Sequence, residues 1–595
     1  MIKTKTNIIK DLLKGFYLRY ASMYIISCVS LVLDLIGIAL VMPFIALLLD
    51  YDLTTILINS IYINEIFKTI ISRFSFEQIS ILLIMIFVVK NALRFFISFE
   101  NIKIANQMRA NWMELLFKKY IHSNITLFID TKHGTLQNNL FSLTQDCVGC
   151  FRQLVFMFVS FVTFCITFFI LITLTFKVTI IFFIIIVLVY SLINYPLIRK
   201  YMELGKLKIQ FYQTVNEIPN DAFKGIREIK VYSGESVVIS KYIKAVKNMS
   251  GLRNQLGFFR LLPPSYSEAL FIVLLLGAII LLNKTLSISL SGIFPLMVTY
   301  IYASQRLFSN VTGFVSNFNE FVNKWPSVEK LHSEIHDKVR PENDYGSKVF
   351  INTNSGLILT NICFSIDEAL IINDLNCSFD NGEVTAIVGE SGSGKSTITD
   401  LIMRIHSPDS GIISFDAYNI NEYFLSSWRR NIGYVGQESF LFPGSIIDNI
   451  TFGLTSKIKQ SQIVTAAKKA NAHEFIIEKE NGYETLVGER GTKLSVGEKQ
   501  RISIARALVR QPKILIFDEP TSGLDYQNEK LIIDTMSNIK EDLILIIIAH
   551  KVSVLEKADK IVVIKKGLKV QEGTYNDLLK SDGEYHRLYK ESILP

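Results

Sequence analysis

Nine consecutive residues, Gly389, Glu390, Ser391, Gly392, Ser393, Gly394, Lys395, Ser396 and Thr397, have the types and spacing needed to hold a polyphosphate. Glycines at 389, 392 and 394 let backbone N–H groups converge on phosphate oxygens. Lys395 then reaches the β- and γ-phosphates, and the Ser396 hydroxyl is placed for Mg²⁺. An apolar run, Val384 to Val388, precedes the loop, and Ile398 to Ile405 follows with a helical pattern. Strand, glycine-rich loop and helix is the setting this loop requires, because the helix N-terminus adds its own attraction for negative charge.

Further polar groups lie where the same chemistry needs them. Lys513 to Glu519 reads as a buried strand ending in two carboxylates. Asp518 is placed for Mg²⁺, and Glu519 can polarise an attacking water as general base. Gln437, in Tyr434-Val435-Gly436-Gln437-Glu438, can touch both the metal and the water. His550 closes the apolar run Leu543 to Ala549 and can hydrogen-bond a γ-phosphate. Leu494 to Arg501 begins a helix whose first amides suit a phosphate. The catalytic set is therefore Glu519, His550 and Gln437, with Ser396, Gln437 and Asp518 around Mg²⁺.

These groups must be positioned by an α/β domain. From about residue 348, short β-rich runs alternate with helices: Ser347 to Ile351, Gly356 to Phe364, Val384 to Val388, Ile412 to Phe415, Ile514 to Phe517, Leu543 to Ile548 and Lys560 to Ile564. That alternation predicts a largely parallel core. Upstream, the chain has a different character. Half of its residues are hydrophobic, and mean hydropathy is +0.33, values that fit a polytopic membrane protein.

Six apolar segments are long enough, or nearly so, to span a bilayer: about 20–49, 78–99, 151–175, 178–198, 266–282 and 286–304. Lys3, Lys5, Lys10, Lys14 and Arg19 precede the first and place the N-terminus in the cytoplasm. The helical period runs on from Ile102 to Tyr120 and from Arg199 to Phe211, so these helices should project beyond the membrane. The net charge of +8 is explained by cytoplasmic loops rather than by nucleic-acid binding. Two short amphipathic pieces, His122 to Asp130 and Asp221 to Tyr232, are expected to form docking helices in those loops. The polar stretch from Glu329 to Tyr345, punctuated by Pro341, divides a transmembrane domain at 1–340 from a nucleotide-binding domain at 341–595. The first apolar run continues past Pro43 with no small-residue cleavage site, so no cleavable signal peptide is expected. Six cysteines offer no disulfide framework, and Cys147 and Cys150 are expected to pack.

Taken together, these motifs resemble those of ATP-binding cassette exporter half-transporters, an all-α six-helix membrane domain fused to an α/β P-loop domain. The resemblance covers essentially the whole chain. It implies an ATP hydrolase coupled to transport, working as a head-to-tail homodimer that sandwiches two ATP molecules, with Ser495 and Gly497 acting on the partner's nucleotide. It further implies that Asp525 connects the two sites and that the two amphipathic pieces are coupling helices. The chain departs from the usual LSGGQ signature at Val496 and Glu498, and Ile366 stands where an aromatic usually stacks on adenine. Both departures suggest weaker nucleotide handling.

Cargo is read from charges inside the spans. Counting from Glu77 at 1.5 Å per residue, Lys90 lies roughly 20 Å into a helix. Arg94 falls one turn later, and Arg306 extends the sixth span. Such cations face a cavity, pair with a carboxylate, here Asp34 or Glu100, or snorkel to the inner interface. The run from Asp34 to Phe44 resembles the start of flippases for lipid-linked oligosaccharides, whose pyrophosphate would suit Lys90, Arg94 and Arg306. The expected substrate is therefore an amphipathic or lipid-linked molecule flipped across a bacterial inner (plasma) membrane. The alternative is a multidrug or bacteriocin-like peptide exporter, though no cysteine-protease domain for cleaving cargo precedes the spans. A regulatory ATPase that moves nothing is disfavoured by the full set of hydrolytic residues.

Overall fold

The computed structural model describes residues 2–48, 73–174, 176–285, 290–336, 346–350, 356–416, 418–454, 458–541 and 543–593. The chain divides into two compact units, Met1–Arg340 and Pro341–Pro595.

The first unit is helical. Its elements are α1 (Ile2–Leu12), α2 (Tyr17–Leu48), α3 (Phe76–Ile121), α4 (Thr126–Asp130), α5 (His133–Asn138), α6 (Thr144–Leu174), α7 (Phe176–Lys224), α8 (Ile226–Val231), α9 (Glu235–Thr285) and α10 (Leu290–His336). Ser75 starts α3 with a reciprocal capping box to Gln78. At 46 residues, α3 is about 69 Å long, over twice the hydrocarbon thickness. It and α7 therefore continue far beyond the apolar stretches, as the sequence periodicity predicts. Five helices among the described residues are long and apolar enough to cross a membrane: those beginning at Tyr17, Phe76, His133, Thr179 and Glu235. Of the expected sixth span, residues 286–289 lie outside the described residues. One core packs α1, α2, α3, α6 and α10 together through Met23, Met108, Trp112, Phe151, Trp325 and Leu331. A second, around Ile38, Tyr190, Tyr300 and Phe308, joins α2, α7 and α10.

Asn283 to Thr285 form the last turn of α9. The expected docking helices are shorter than their sequence segments: α4 starts only at Thr126 and α8 only at Ile226. Neither buries a residue, and Ile129, Val231 and Tyr232 are exposed.

The second unit holds two sheets. An antiparallel sheet runs β2-β1-β4-β5, with β1 Leu357–Ile366, β2 Ala369–Phe379, β4 Ser410–Phe415 and β5 Tyr418–Asn419. The other runs β10-β9-β3-β8-β7-β6, with β3 Val384–Val388, β6 Ile432–Val435, β7 Ile514–Asp518, β8 Ile544–Ile548, β9 Lys560–Lys565 and β10 Leu568–Gly573. From β9 to β6 its neighbours are parallel, and only the β10 edge is antiparallel. Strands β3 and β8 are buried along their whole length, which explains their unbroken Val/Ile runs. Of the expected strand at Ser347 to Ile351, Ile351 lies outside the described residues, and 347–350 form no strand. Lys348 makes a single bridge to Tyr423, and Phe350 instead packs on Phe415, Tyr423 and Trp428.

Candidate functional site

Parallel strands deliver their C-terminal ends to one edge of a sheet, and in α/β folds that edge is where ligands bind. Here β3 runs straight into the glycine loop and α11 (Lys395–Ile402). The register pairs Val435 with Phe517 and Asp518 with Ile548. Gln437, Asp518, Glu519 and His550 therefore follow the ends of adjacent strands.

Gly394 caps α11 in a left-handed conformation at φ 101°. A Cβ there would stand 2.6 Å from the Ile372 side chain, so only glycine fits. Lys395 is buried, and its Nζ donates to the carbonyls of Gly389 and Glu390, each at 2.9 Å. Burial lowers its pKa, although Glu519 and Asp518 oppose the shift. Ser396 is exposed one residue along, and Thr397 is half-buried. Ser391 and Gly392 are open to solvent, whereas Ser393 is buried.

Glu519 is held from two sides. Gln437 Nε2 donates to one of its oxygens at 2.8 Å, and His550 Nε2 lies 3.2 Å from the other. Its backbone sits at φ 49°, a costly conformation for a side chain of this type, held in place by its own N–H donating a hydrogen bond to the Ile548 carbonyl at 3.0 Å. The Tyr434 hydroxyl donates to Asp518 at 3.4 Å. Burial, and then the adjacent Glu519 charge, push the Asp518 carboxyl above its ordinary range. Ser396, Gln437 and Asp518 would offer a hydroxyl, an amide oxygen and a carboxylate, the oxygen donors that a hard cation such as Mg²⁺ takes.

The segment at Leu494 explains one of the departures. Ser495 caps α12 (Val496–Leu508) with a full capping box: its hydroxyl accepts from the Glu498 amide, and Glu498 accepts from the Ser495 amide at 2.8 Å. The other Glu498 oxygen meets Lys479 at 2.7 Å. Burial alone would raise the Glu498 pKa, but Lys479 and the Ser495 amide bring it below the usual value. Asp525 caps α13 (Tyr526–Ile539) in the same way, accepting from the Asn528 amide at 2.8 Å. Asn528 also receives Arg501 at 3.0 Å and crowds Gly497, where a Cβ would fall 2.7 Å from it. Sequence reasoning missed Asn528, whose role depends on packing between two helices. Val496 and Ile366 are both exposed, Ile366 at the end of β1 beside a tight turn with left-handed Asp367 and Glu368.

In the helical unit all four charged residues read from the spans meet. Asp34 on α2 accepts Lys90 at 2.9 Å and Arg306 at 2.9 Å on one oxygen, and Arg94 at 2.5 Å on the other. Lys90 also lies 4.2 Å above the Phe87 ring. Glu100, the other carboxylate considered, pairs with Lys103. One carboxylate against three cations leaves a formal excess of two positive charges. Cys147 and Cys150 are buried, their thiols donating to the carbonyls of Ser327 and Phe321, which fits packing.

The family described as ABC transporter matches residues 372–522, and the ABC transporter transmembrane region matches residues 44–304. The chain is 35% identical over 404 residues to "ABC transporter B family member 1" of Dictyostelium discoideum, covering 66% of this chain and 44% of that protein. It is 28% identical to "Heterocyst differentiation ATP-binding protein HepA" of a Nostoc species over 80% of this chain and 78% of that one. The chain thus spans less than half of the first relative and over three quarters of the second. In fold it matches a bacterial Atm1-family ABC exporter solved with ATP bound, with TM-score 0.78, 22% identity, and coverage of 98% of this chain and 99% of that one.

Proposed function

The chain belongs to the ABC transporters, joining one transmembrane region to one ATP-binding cassette as an exporter half-transporter does, and from that premise we propose that it flips a lipid-linked oligosaccharide across a bacterial plasma membrane as an alternating-access homodimer. Residues 1–340 form the membrane domain on this reading, and 341–595 the cytoplasmic cassette.

The observation that carries the choice of cargo is the charge excess around Asp34. Arg94 and Arg306 keep 38% and 20% of their side chains exposed while bonded to it. Each guanidinium retains donors for a second anion. A pyrophosphate head group supplies the missing negative charge, and an apolar polyprenyl tail stays in the lipid. In the cassette, the glycine loop and Lys395 bind the ATP phosphates, and Glu519, oriented by Gln437 and His550, takes the proton of the attacking water. Ser396, Gln437 and Asp518 would hold Mg²⁺, which would supply positive charge against the phosphates. Ser495 and Gly497 present the first amides of α12 to the partner's nucleotide, and the loop at Asp525 connects the two sites. ATP binding favours the outward-facing state, and hydrolysis resets it.

The test is ATPase activity of the purified dimer in lipid, with and without a polyprenyl-pyrophosphate oligosaccharide, for the wild type and Arg306→Ala. Stimulation by the lipid that is lost in the variant supports the reading; no stimulation of the wild type refutes it. One observation favours the alternative multidrug cargo. A cavity of about 600 Å³ between α9 and α10 is lined by Glu268, Phe271, Gln305 and Phe308, and an acidic, aromatic wall suits a cationic amphiphile. Stimulation by cationic drugs in place of the lipid would select that cargo.

A further inference from the structure

Two histidines one turn apart close α10, and a carboxylate from the first helix of the chain faces them. His332 Nε2 lies 3.4 Å from Asp11 Oδ2. The His332 and His336 rings lie with centroids 4.3 Å apart and planes tilted by 38°. One ligand atom from each of the three residues falls within 4.8 Å of the other two. Imidazole nitrogens and a carboxylate oxygen around a tetrahedral ion at about 2.05 Å stand roughly 3.4 Å apart, which the Asp11–His332 pair already matches. Residues at i and i+4 share one helix face, so a rotation of the His336 ring closes the remaining gap.

The backbones carrying these groups are fixed. Leu12 on α1 and Leu331 on α10 belong to the same buried core, with Ile8, Ile9 and Ile335 packed against it. The groups around the cluster have other partners: Glu334 accepts from Tyr120 at 3.0 Å, and Lys119 donates to the Glu334 and Ile335 carbonyls. Lys119 thereby covers the last carbonyls of α10. The Asp11 side chain is 54% exposed and that of His332 25%, leaving a path for an ion and room for water as a fourth ligand.

We propose that Asp11, His332 and His336 form a binding site for a borderline divalent transition-metal ion of the Zn²⁺ class, which clips the N-terminal helix to the end of α10. Two imidazoles and one carboxylate select Zn²⁺, Co²⁺ or Ni²⁺ over Mg²⁺ and Ca²⁺, which take oxygen donors. The residues lie wholly within the first unit, at the point where the chain leaves its last long helix for the ATP-binding cassette. Occupancy would fix both chain ends of the membrane unit to each other, independently of the cargo.

The test uses the full-length dimer, freed of any affinity tag and of metal by chelation, titrated with Co²⁺ and followed by its visible d–d absorption. The expected result is one Co²⁺ per chain, displaced by Zn²⁺ and unaffected by excess Mg²⁺, with binding lost in H332A/H336A. D11N should weaken the affinity at least about 10-fold. A melting temperature raised by Zn²⁺ in the wild type, but not in H336Q, is the second measurement and needs only a single mild substitution. Absence of stoichiometric Co²⁺ absorption, or the same affinity in H332A/H336A and D11N as in the wild type, would overturn the assignment.

Discussion

Replacing Asp34 with Asn should be among the most damaging single changes in the helical unit. Its side chain is 2% exposed and serves Lys90 at 4%, Arg306 at 20% and Arg94 at 38%. Removing the shared carboxylate leaves Lys90 buried with no counter-charge, a change that typically costs 3–5 kcal/mol. Removing Arg94 alone is far milder. More than a third of its side chain is solvated, which limits the loss to about 1 kcal/mol, and Asp34 keeps two partners. Deleting both members of the buried pair, Asp34→Leu with Lys90→Met, should recover much of the loss, because an apolar replacement removes the desolvation penalty of both ions. Thermal unfolding in lipid nanodiscs, followed by tryptophan fluorescence, reads this, since Trp112 and Trp325 are buried in a core of the helical unit. At about 2 °C per kcal/mol, Asp34→Asn should lower the transition by ~6–10 °C and Arg94→Gln by no more than ~2 °C. An Asp34→Asn transition within 2 °C of the wild type, or a double variant less stable than Asp34→Asn, would refute the reasoning.

Other expectations follow from the cassette. Glu519→Gln should bind ATP yet lose hydrolysis by about 10²–10⁴-fold, and phosphate release at the wild-type rate would remove Glu519 as general base. Ile366→Tyr, at an exposed position, should tighten ATP binding roughly 2- to 12-fold through stacking; equilibrium titration with a fluorescent ATP analogue checks it. Glu498→Gln keeps the cap but loses the Lys479 pair, lowering stability at pH 7 by about 1 kcal/mol or less. Because the Glu498 pKa is depressed in the folded state, that contribution is present above pH 4.5 and fades as pH falls through the folded value. Denaturation curves of the two proteins should therefore converge in acid, and a gap that widens there would contradict the pairing.

What could be read from the sequence was whatever chemistry is local. The nucleotide loop needs only nine neighbouring residues, and a buried parallel strand announces itself by an unbroken apolar run, as in Leu543 to Ile548. Strands β2, β6 and β10 escaped for physical reasons. β2 carries Asn373 and Asp374 in its middle, with Asp374 at φ 45° in a stretch of shifted register. β6 is four residues long and contains Gly433, and β10 is an edge whose half-exposed pattern is largely polar. Glu498 was read as a defect, yet Ser495-Val496-Gly497-Glu498 is itself a capping-box signature, so the signal was present. The sharing of Asp34 by three cations, like the approach of Asp11 to His332, joins positions far apart in the chain. No local pattern encodes such contacts; they exist only once the helices pack.

The Asp34 cluster also bears on how the protein is made. An aspartate near the centre of a membrane helix opposes insertion by about 2.5–3.5 kcal/mol. Helix α2 emerges from the ribosome before any of its three cationic partners, and α3, which carries Lys90 and Arg94, is the next long helix among the described residues. The first two spans are therefore best delivered to lipid as a hairpin, with the carboxylate neutralised on arrival. Arg306 joins only after α10 has been synthesised, so the cluster is complete only once the last long helix described in the first unit has been made.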